Sequence, residues 1–189
     1  MHNIEPHYSW RHLYIASEDS SSPFYGKEYS EFEFSDAIYD HFIHPQWDRM
    51  GSTTLYLKIL YVNYDNGYCF IELLVEWNDC LYNDIMYLKR NIADDLMSNG
   101  INKFILIGEN VLNFHADGDD YYQEWFEDIE DGWITLVNFQ DHVLAEMESA
   151  HLDYYVAIGG SLNDVVWRSL PPTQVFEKVN SLITKRLTA

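Results

Sequence analysis

Positively charged residues are scarce in this chain of 189 residues. Only 11 Lys and Arg stand against 31 Asp and Glu, which gives a formal charge of -20 at pH 7. A field of that sign repels phosphate backbones and anionic lipid surfaces. We therefore expect neither a nucleic-acid partner nor a membrane partner.

Cysteine is equally sparse, and long apolar runs are missing. The two cysteines, Cys69 and Cys80, do not form a C-x-x-C pair, so two reduced thiols are favoured over a redox or metal motif. No run approaches the roughly 20 apolar residues of a membrane helix, and residues 1–6 lack the basic and apolar segments of a signal peptide. These features predict a soluble, cytoplasmic protein.

The sequence also lacks the local signatures of common enzyme and cofactor sites. It contains no G-x-x-x-x-G-K-[ST], G-x-G-x-x-G, G-x-S-x-G or H-E-x-x-H motif. His41 and His44 have H-x-x-H spacing, but no second ligand pair accompanies them. The acidic loop 115–120 does not fit an EF-hand, because Tyr122 and Asp128 occupy the places of its Gly and Glu. We therefore predict no cofactor and no metal.

Aromatic side chains are abundant. The chain has 15 Tyr, 10 Phe and 6 Trp, and its length fits a single domain, residues 1–189, with a sizeable core. We assign residues 51–189 to the main domain and residues 1–50, which lack clear periodicity, to an irregular N-terminal elaboration. Within that elaboration, residues 31–34 alternate like a strand, and Ser35 would cap a short helix that ends before Pro45.

A hairpin followed by a helix is the clearest pattern of the main domain. Two β-rich runs, 54–64 and 68–76, flank Asn66-Gly67, a dipeptide that suits a two-residue type I′ turn. Segment 79–98 has apolar residues at helical spacing, with Asn78 or Asp79 as its cap and Asn99-Gly100 at its end. Its apolar positions are Leu81, Ile85, Leu88, Ile92 and Leu96.

Beyond residue 100, short apolar runs alternate with helix-length segments, as in βαβ units. The pattern predicts strands at 104–107, 134–139 and 154–158, and helices at 119–129, 143–147 and 175–187. Ser161 and Asp164 have the spacing of a capping box for a further short helix. The predicted fold is α/β: a mixed sheet of about five strands, with an antiparallel hairpin followed by βαβ units and with helices packed on the sheet.

Candidate site residues follow the strands, because ligands of open α/β sheets bind outside the carboxyl ends of the parallel strands. The candidate general acids and bases of a catalytic site are Glu109, in a predicted loop after Ile107, His115 and His142. The candidate ligand-binding residues are Asn110, Asn138, Gln140 and Ser161. A simpler interpretation remains, because each of these segments also opens a helix that needs capping side chains.

Two functions of different classes agree with these patterns. The first is a non-catalytic binding or regulatory module that contacts a protein partner or a second copy of itself. Its contact surface would be the acidic, aromatic stretch that contains Glu124, Glu127 and Asp128, although an amphipathic helix explains the same spacing more simply. The second is a small-molecule hydrolase or transferase with a pocket at the strand ends. A carbohydrate-binding aromatic platform is a third alternative.

Overall fold

The computed structural model describes residues 4–189 and contains two sheets. The small sheet pairs β1 (Asp36–Ile38) with β2 (His41–Ile43) in antiparallel fashion. The large sheet has the strand order β3 (Asp48–Arg49), β4 (Leu55–Asn63), β5 (Tyr68–Asn78), β6 (Lys103–His115) and β7 (Trp133–Val137). Its first three strands are antiparallel, whereas β5, β6 and β7 run parallel. The predicted α/β class and mixed sheet are confirmed.

Helices cover both faces of the large sheet. The chain contains α1 (Asp79–Tyr82), α2 (Asp84–Leu88), α3 (Asp94–Ser98), α4 (Asp120–Asp128), α5 (Asp141–Ser149) and α6 (Pro172–Leu187). Buried residues of α2 to α5 form one core with one face of the strands, and α6 forms a second core on the other face with Trp10 and Trp167. A third cluster joins the β1–β2 pair to Tyr56 and Leu74. Within residues 4–189, no helix is both long and apolar enough to cross a membrane.

The β4–β5 hairpin agrees with the sequence in its strands but not in its turn. Asn63 pairs with Tyr68, so four residues, 64–67, connect the strands. Gly67 has a φ of 68°, whereas Asn66 does not have the positive φ that a type I′ turn requires. Instead, Asn66 donates from its backbone and side-chain nitrogens to Oδ1 of Asn63, which closes a wider loop.

The helical segment after β5 is broken rather than continuous. Oδ1 of Asn78 accepts a hydrogen bond from the backbone of Leu81 at 2.9 Å and caps α1 as expected. Asn83 then adopts a left-handed conformation that ends α1, and a π-helical turn at Lys89–Ala93 joins α2 to α3. Four of the five predicted apolar positions are buried, but Leu81 lies before the break and is exposed.

The loop predicted after Ile107 is wrong, because strand β6 occupies this segment. The strand continues to His115 because β5 continues to Asn78 and pairs with it as far as that residue, through two irregularities in the register. Glu109 and Asn110 therefore lie inside a strand, and His115 lies at its end. Gly108 permits this path, since a Cβ there would lie 2.3 Å from the ring of Phe139.

Two predictions near residue 160 are wrong. Residues 154–158 do not form a strand, because only Ala157 bridges to the sheet, at Thr135. The following turn, Gly160–Asn163, is a 3-10 helix without a side-chain cap, so Ser161 and Asp164 do not form a capping box. Arg186 of α6 donates to the carbonyl oxygens of Ile158 and Gly159, and it thereby satisfies backbone groups that a strand would have paired.

The local predictions for the N-terminal elaboration are also wrong. Segment 31–34 is not a strand, and the predicted helix after Ser35 is the β1–β2 hairpin. Tyr39 and Asp40 have φ angles of 48° and 63° and form its two-residue turn. Their left-handed backbone excludes a helix through this segment.

Candidate functional site

Charged side chains cross the sheet face that also packs against α6. We call Lys58 on β4, Glu72 on β5 and Glu109 on β6 the polar row. Lys58 and Glu72 are cross-strand partners, so their side chains share a face. The flanking positions of β4 and β5 point to the other face and are apolar, as period-two alternation requires. The row lies between the α6 core and the cluster around Tyr56 and Leu74.

Glu109 is held by four hydrogen bonds. Its Oε1 accepts from Nε1 of Trp167 at 2.6 Å and from Nδ2 of Asn138 at 3.2 Å, and its Oε2 accepts from Nη2 and Nε of Arg168 at 2.8 and 3.2 Å. Burial opposes ionisation, but the bonds from Trp167 and Arg168 outweigh it and hold the pKa of Glu109 below its usual value. The carboxylate is therefore ionised, and its oxygens are already occupied.

The pKa of Glu72 is shifted in the opposite direction to that of Glu109, although both carboxyl groups contact Arg168. Glu72 is buried, its Oε2 accepts from the backbone nitrogen of His7 at 2.8 Å, and its Oε1 lies 3.4 Å from Nη2 of Arg168. Burial raises the pKa of Glu72 to about 7, against the opposing effects of the His7 hydrogen bond and the Arg168 charge. Near neutral pH this carboxyl group is therefore partly protonated.

Two of the predicted ligand-binding residues support Glu109. Asn138 follows β7 with a φ of 56°, and its side chain exchanges two hydrogen bonds with the backbone of Val165, at 2.8 and 2.9 Å. Nε2 of Gln140 lies 3.4 Å from the carbonyl oxygen of Glu109. Both amides are thus used to join β6, β7 and the segment before α6.

The other candidates lie elsewhere. His115 is six positions beyond Glu109 on β6, which at about 3.3 Å per residue separates them by about 20 Å. His142 lies within 2.7 Å of the carbonyl oxygen of Leu112, and Ser161 is exposed in its 3-10 turn. Asn110 lies in β6 against a small apolar cleft under the β1–β2 hairpin. The structure therefore groups Glu109, Asn138 and Gln140, but does not bring the two histidines to Glu109.

Sequence reasoning missed Glu72, Arg168, Trp167 and His7. Glu72 had a usable signal, since it interrupts an apolar run from Tyr68 to Val75. Arg168 had one too, because it is the first Lys or Arg after Lys103. A lone charge within a buried strand requires a partner of opposite charge. Together, the two signals would have predicted an ion pair between Glu72 and Arg168.

Comparison with known proteins assigns no family. No family model matches this chain, and no curated protein is significantly similar to it. Functional inference therefore rests on the geometry of the described residues.

No metal centre is visible in that geometry. Within residues 4–189, no group of three or more His, Cys, Asp and Glu side chains is arranged to hold a metal ion. In the acidic loop, Oδ2 of Asp119 accepts a hydrogen bond from the Tyr155 hydroxyl at 2.8 Å. His44 lies 3.4 Å from Oε1 of Glu5, and its Nδ1 accepts from the backbone of Gln46.

A cavity of about 160 Å³ lies beside the polar row at Lys58. The N-terminal elaboration forms much of its wall, and β4 supplies the rest. Its polar lining comprises His7, Arg11, Tyr29, Gln46 and Lys58. Its apolar lining comprises Ile15, Ala16, Ile59 and Leu60, with the ring of Tyr14 beside them.

Positive charge exceeds negative charge around this cavity. The buried carboxylate of Asp48 accepts from Nζ of Lys27 at 2.7 Å and from the Tyr29 hydroxyl at 2.6 Å, and Nζ of Lys58 lies 3.5 Å from its other oxygen. Two ammonium groups thus share one carboxylate. Arg11 donates to Oε1 of Gln46 at 3.1 Å, and it makes no ion pair in the part of the chain that the structure describes. Burial lowers the pKa of Lys58, and the charges of Arg11 and Lys27 lower it further. The charge of Asp48 has the opposite effect but does not cancel them.

Two of the three acidic residues considered for a contact surface on helix α4 form ion pairs with neighbouring cations, whereas Glu127 is exposed. Glu124 accepts from both terminal nitrogens of Arg90, at 2.5 and 2.9 Å. Asp128 accepts from the buried ammonium group of Lys89 at 2.8 Å. Tyr122 and Trp125 are buried beneath the helix. The simpler interpretation, an amphipathic helix attached to its neighbour by ion pairs, describes α4.

Proposed function

We propose that this chain is a non-catalytic binding module that contacts a basic protein partner. The candidate acid Glu109 supports a non-catalytic function, since all four of its hydrogen bonds come from side chains of the chain itself. The catalytic alternative requires Glu109, His115 and His142 to converge, with the carboxylate free to face a substrate. His115 and His142 are not within reach.

The observation that carries the proposal is an exposed aromatic surface on the N-terminal elaboration. We call Phe32, Tyr39 and Phe42, which are 86%, 66% and 47% exposed, the hairpin surface. Exposed rings on one short segment are typical of protein contact sites, where a few residues supply most of the binding energy and aromatic side chains are enriched. The ring of Phe34 packs edge-on against Phe42 and supports it.

The charges around the hairpin surface determine the partner. Glu31, Glu33 and Asp40 are exposed and form no ion pair among residues 4–189. The nearby Arg49 is fully engaged, since it donates two hydrogen bonds to Asp36, at 2.7 and 3.0 Å. Unpaired carboxylates between exposed rings favour a partner with Lys or Arg beside apolar residues. A second copy of a chain with charge -20 is disfavoured by repulsion.

A peptide-display selection on the immobilised protein tests this surface. We expect the enriched peptides to combine Lys or Arg with apolar residues, and to lose affinity as added salt shortens the Debye length from about 30 Å to below 10 Å. The double variant Phe32→Ser, Phe42→Ser should not enrich them. The matched control is Tyr154→Ser, Leu187→Ser, which removes two exposed apolar side chains elsewhere and should behave like the wild type.

Three results would refute the proposal. Enrichment that is the same on the hairpin variant and the wild type would place binding elsewhere. If no peptide is enriched, the proposal of a basic protein partner is wrong. Concentration-dependent dimerisation in sedimentation runs, if lost in the hairpin variant, would identify a second copy as the occupant.

We further propose a cytoplasmic location and no nucleic-acid partner. Both cysteines are free, with Cys69 buried and Cys80 exposed, which agrees with a reducing compartment. The net charge of -20 opposes contact with phosphate backbones.

A further inference from the structure

We propose that the cavity lined by Arg11, Lys58 and His7 binds a small organic anion with a carboxylate or phosphate head and an apolar body. This inference does not depend on the hairpin surface, because it concerns a different ligand and different side chains. It rests on three properties of the cavity: its excess positive charge, its divided polar and apolar lining, and its size.

The charge around the cavity is unusual for this chain. Acids outnumber Lys and Arg by 31 to 11, so a cation on this protein has many carboxylates available as partners. Arg11 nevertheless faces the neutral amide of Gln46, and Lys58 shares the carboxylate of Asp48 with Lys27. The three cations repel one another, and a bound anion would relieve that repulsion.

The side chains suit an anionic head group. A guanidinium group binds the two oxygens of a carboxylate or phosphate with parallel hydrogen bonds, and the ammonium group of Lys58 supplies a point charge beside it. His7 adds a neutral ring, since burial and the Arg168 charge lower its pKa. Its Nε2 is buried away from solvent, so the ring adds contact surface to the cavity rather than a hydrogen bond to the ligand.

The remaining lining and the volume define the body of the ligand. Ile15 and Leu60 are apolar and would contact a hydrocarbon group. The cavity, about 160 Å³, is similar in size to the roughly 150 Å³ apolar cavity that accommodates benzene in another protein. A ligand with one six-membered ring and an anionic head is therefore of the right size.

Three probes distinguish the head groups in calorimetric and NMR titrations at low ionic strength. Benzoate carries a carboxylate, phenyl phosphate carries a phosphate, and benzamide has the same ring without a charge. We expect benzoate or phenyl phosphate to bind saturably, and benzamide to bind about tenfold more weakly or worse, because it lacks the charge-assisted hydrogen bonds. The tighter of the two anions identifies the head group.

Variants of Arg11 assign the binding to this cavity. Arg11 is exposed, so Arg11→Gln should fold normally, which its melting temperature will show. We expect Arg11→Gln to lose about tenfold in affinity, and Arg11→Lys to lose less because it keeps the charge but not the planar fork. The matched control is Arg90→Gln, which removes the same charge from the α2–α4 side of the sheet and should bind like the wild type.

Several outcomes would overturn the inference. Benzamide binding as tightly as the anions would show that the site does not select charge. Equal affinities of Arg11→Gln and the wild type would place the anion elsewhere, as would a loss of affinity in Arg90→Gln. Absence of saturable binding by every probe would show that the cavity is not a site for this class of ligand.

Discussion

Glu72→Gln should change how the stability of this protein depends on pH. The Glu72 carboxyl group is buried, and burial raises its pKa from an ordinary 4.5 to about 7. Glutamine has nearly the same shape but cannot ionise, so it mimics the protonated carboxyl group at every pH. The difference in unfolding free energy between wild type and variant therefore isolates the ionisation of one group.

The sign follows from proton linkage. Because the folded-state pKa is raised, the folded protein binds a proton between pH 4.5 and 7 that the unfolded chain has released. The resulting stabilisation is fully present below pH 4.5 and is lost as the pH rises through 7. At about 1.4 kcal/mol for each pH unit, wild type should lose about 3 kcal/mol relative to the variant across this range.

Urea melts of both proteins at intervals from pH 4 to 8 measure this difference. Glu109→Gln is the matched control, since the pKa of Glu109 lies below its usual value. Its stabilisation is present above pH 4.5 and is lost only as the pH falls below that value, so its difference from wild type should stay constant from pH 5 to 8. If the unfolding free energy of wild type does not fall relative to that of Glu72→Gln as the pH rises from 5 to 8, the reasoning is refuted.

Two further predictions concern packing, and both are checked by denaturant melts. Leu88→Ala or Ile92→Ala should each cost about 2 to 5 kcal/mol, because both side chains are buried beneath the sheet, whereas the exposed Leu81→Ala should cost less than about 0.5 kcal/mol. Gly108→Ala should cost about 1 to 3 kcal/mol, because its Cβ would collide with the Phe139 ring, and Gly118→Ala, with no atom nearer than 3.8 Å, should be close to neutral. Equal effects in either variant and its control would contradict the packing described for that position.

The elements that the sequence predicted well are those defined by local pattern. The β4–β5 pair is long and alternates on both sides of a turn signal, so its strands were found within two residues of their ends. Helix α6 was found because its apolar residues recur at helical spacing up to basic residues in its last turn. In both cases the residues that specify the element lie inside it.

The errors occurred where distant segments decide the local conformation. The extension of β6 to His115 depends on pairing with the full length of β5, which residues 108–115 do not reveal by themselves. The candidate acid Glu109 was therefore placed in a loop, and its real partners, Trp167 and Arg168, lie 58 and 59 positions away. Contacts at that separation leave no periodic signal in the sequence.

The N-terminal elaboration is a second region whose contacts with distant residues could not be predicted from the sequence. Its sequence predicted only an irregular elaboration of the main domain, yet Trp10 donates to the carbonyl oxygen of Leu170 at 2.9 Å and Trp47 to that of Ile4 at 2.7 Å. The first bond fastens the segment to the region before α6, the second joins two parts of the segment itself, and the backbone of His7 covers Glu72. Without the elaboration, Glu72 would be exposed to solvent and its pKa would return toward 4.5.

The same N-terminal elaboration supplies Arg11 to the cavity and all three rings of the hairpin surface. Both proposed sites therefore depend on the part of the chain with the weakest sequence pattern. The physical reason is that side chains that contact a partner or ligand do not have to follow the alternation that a buried core imposes.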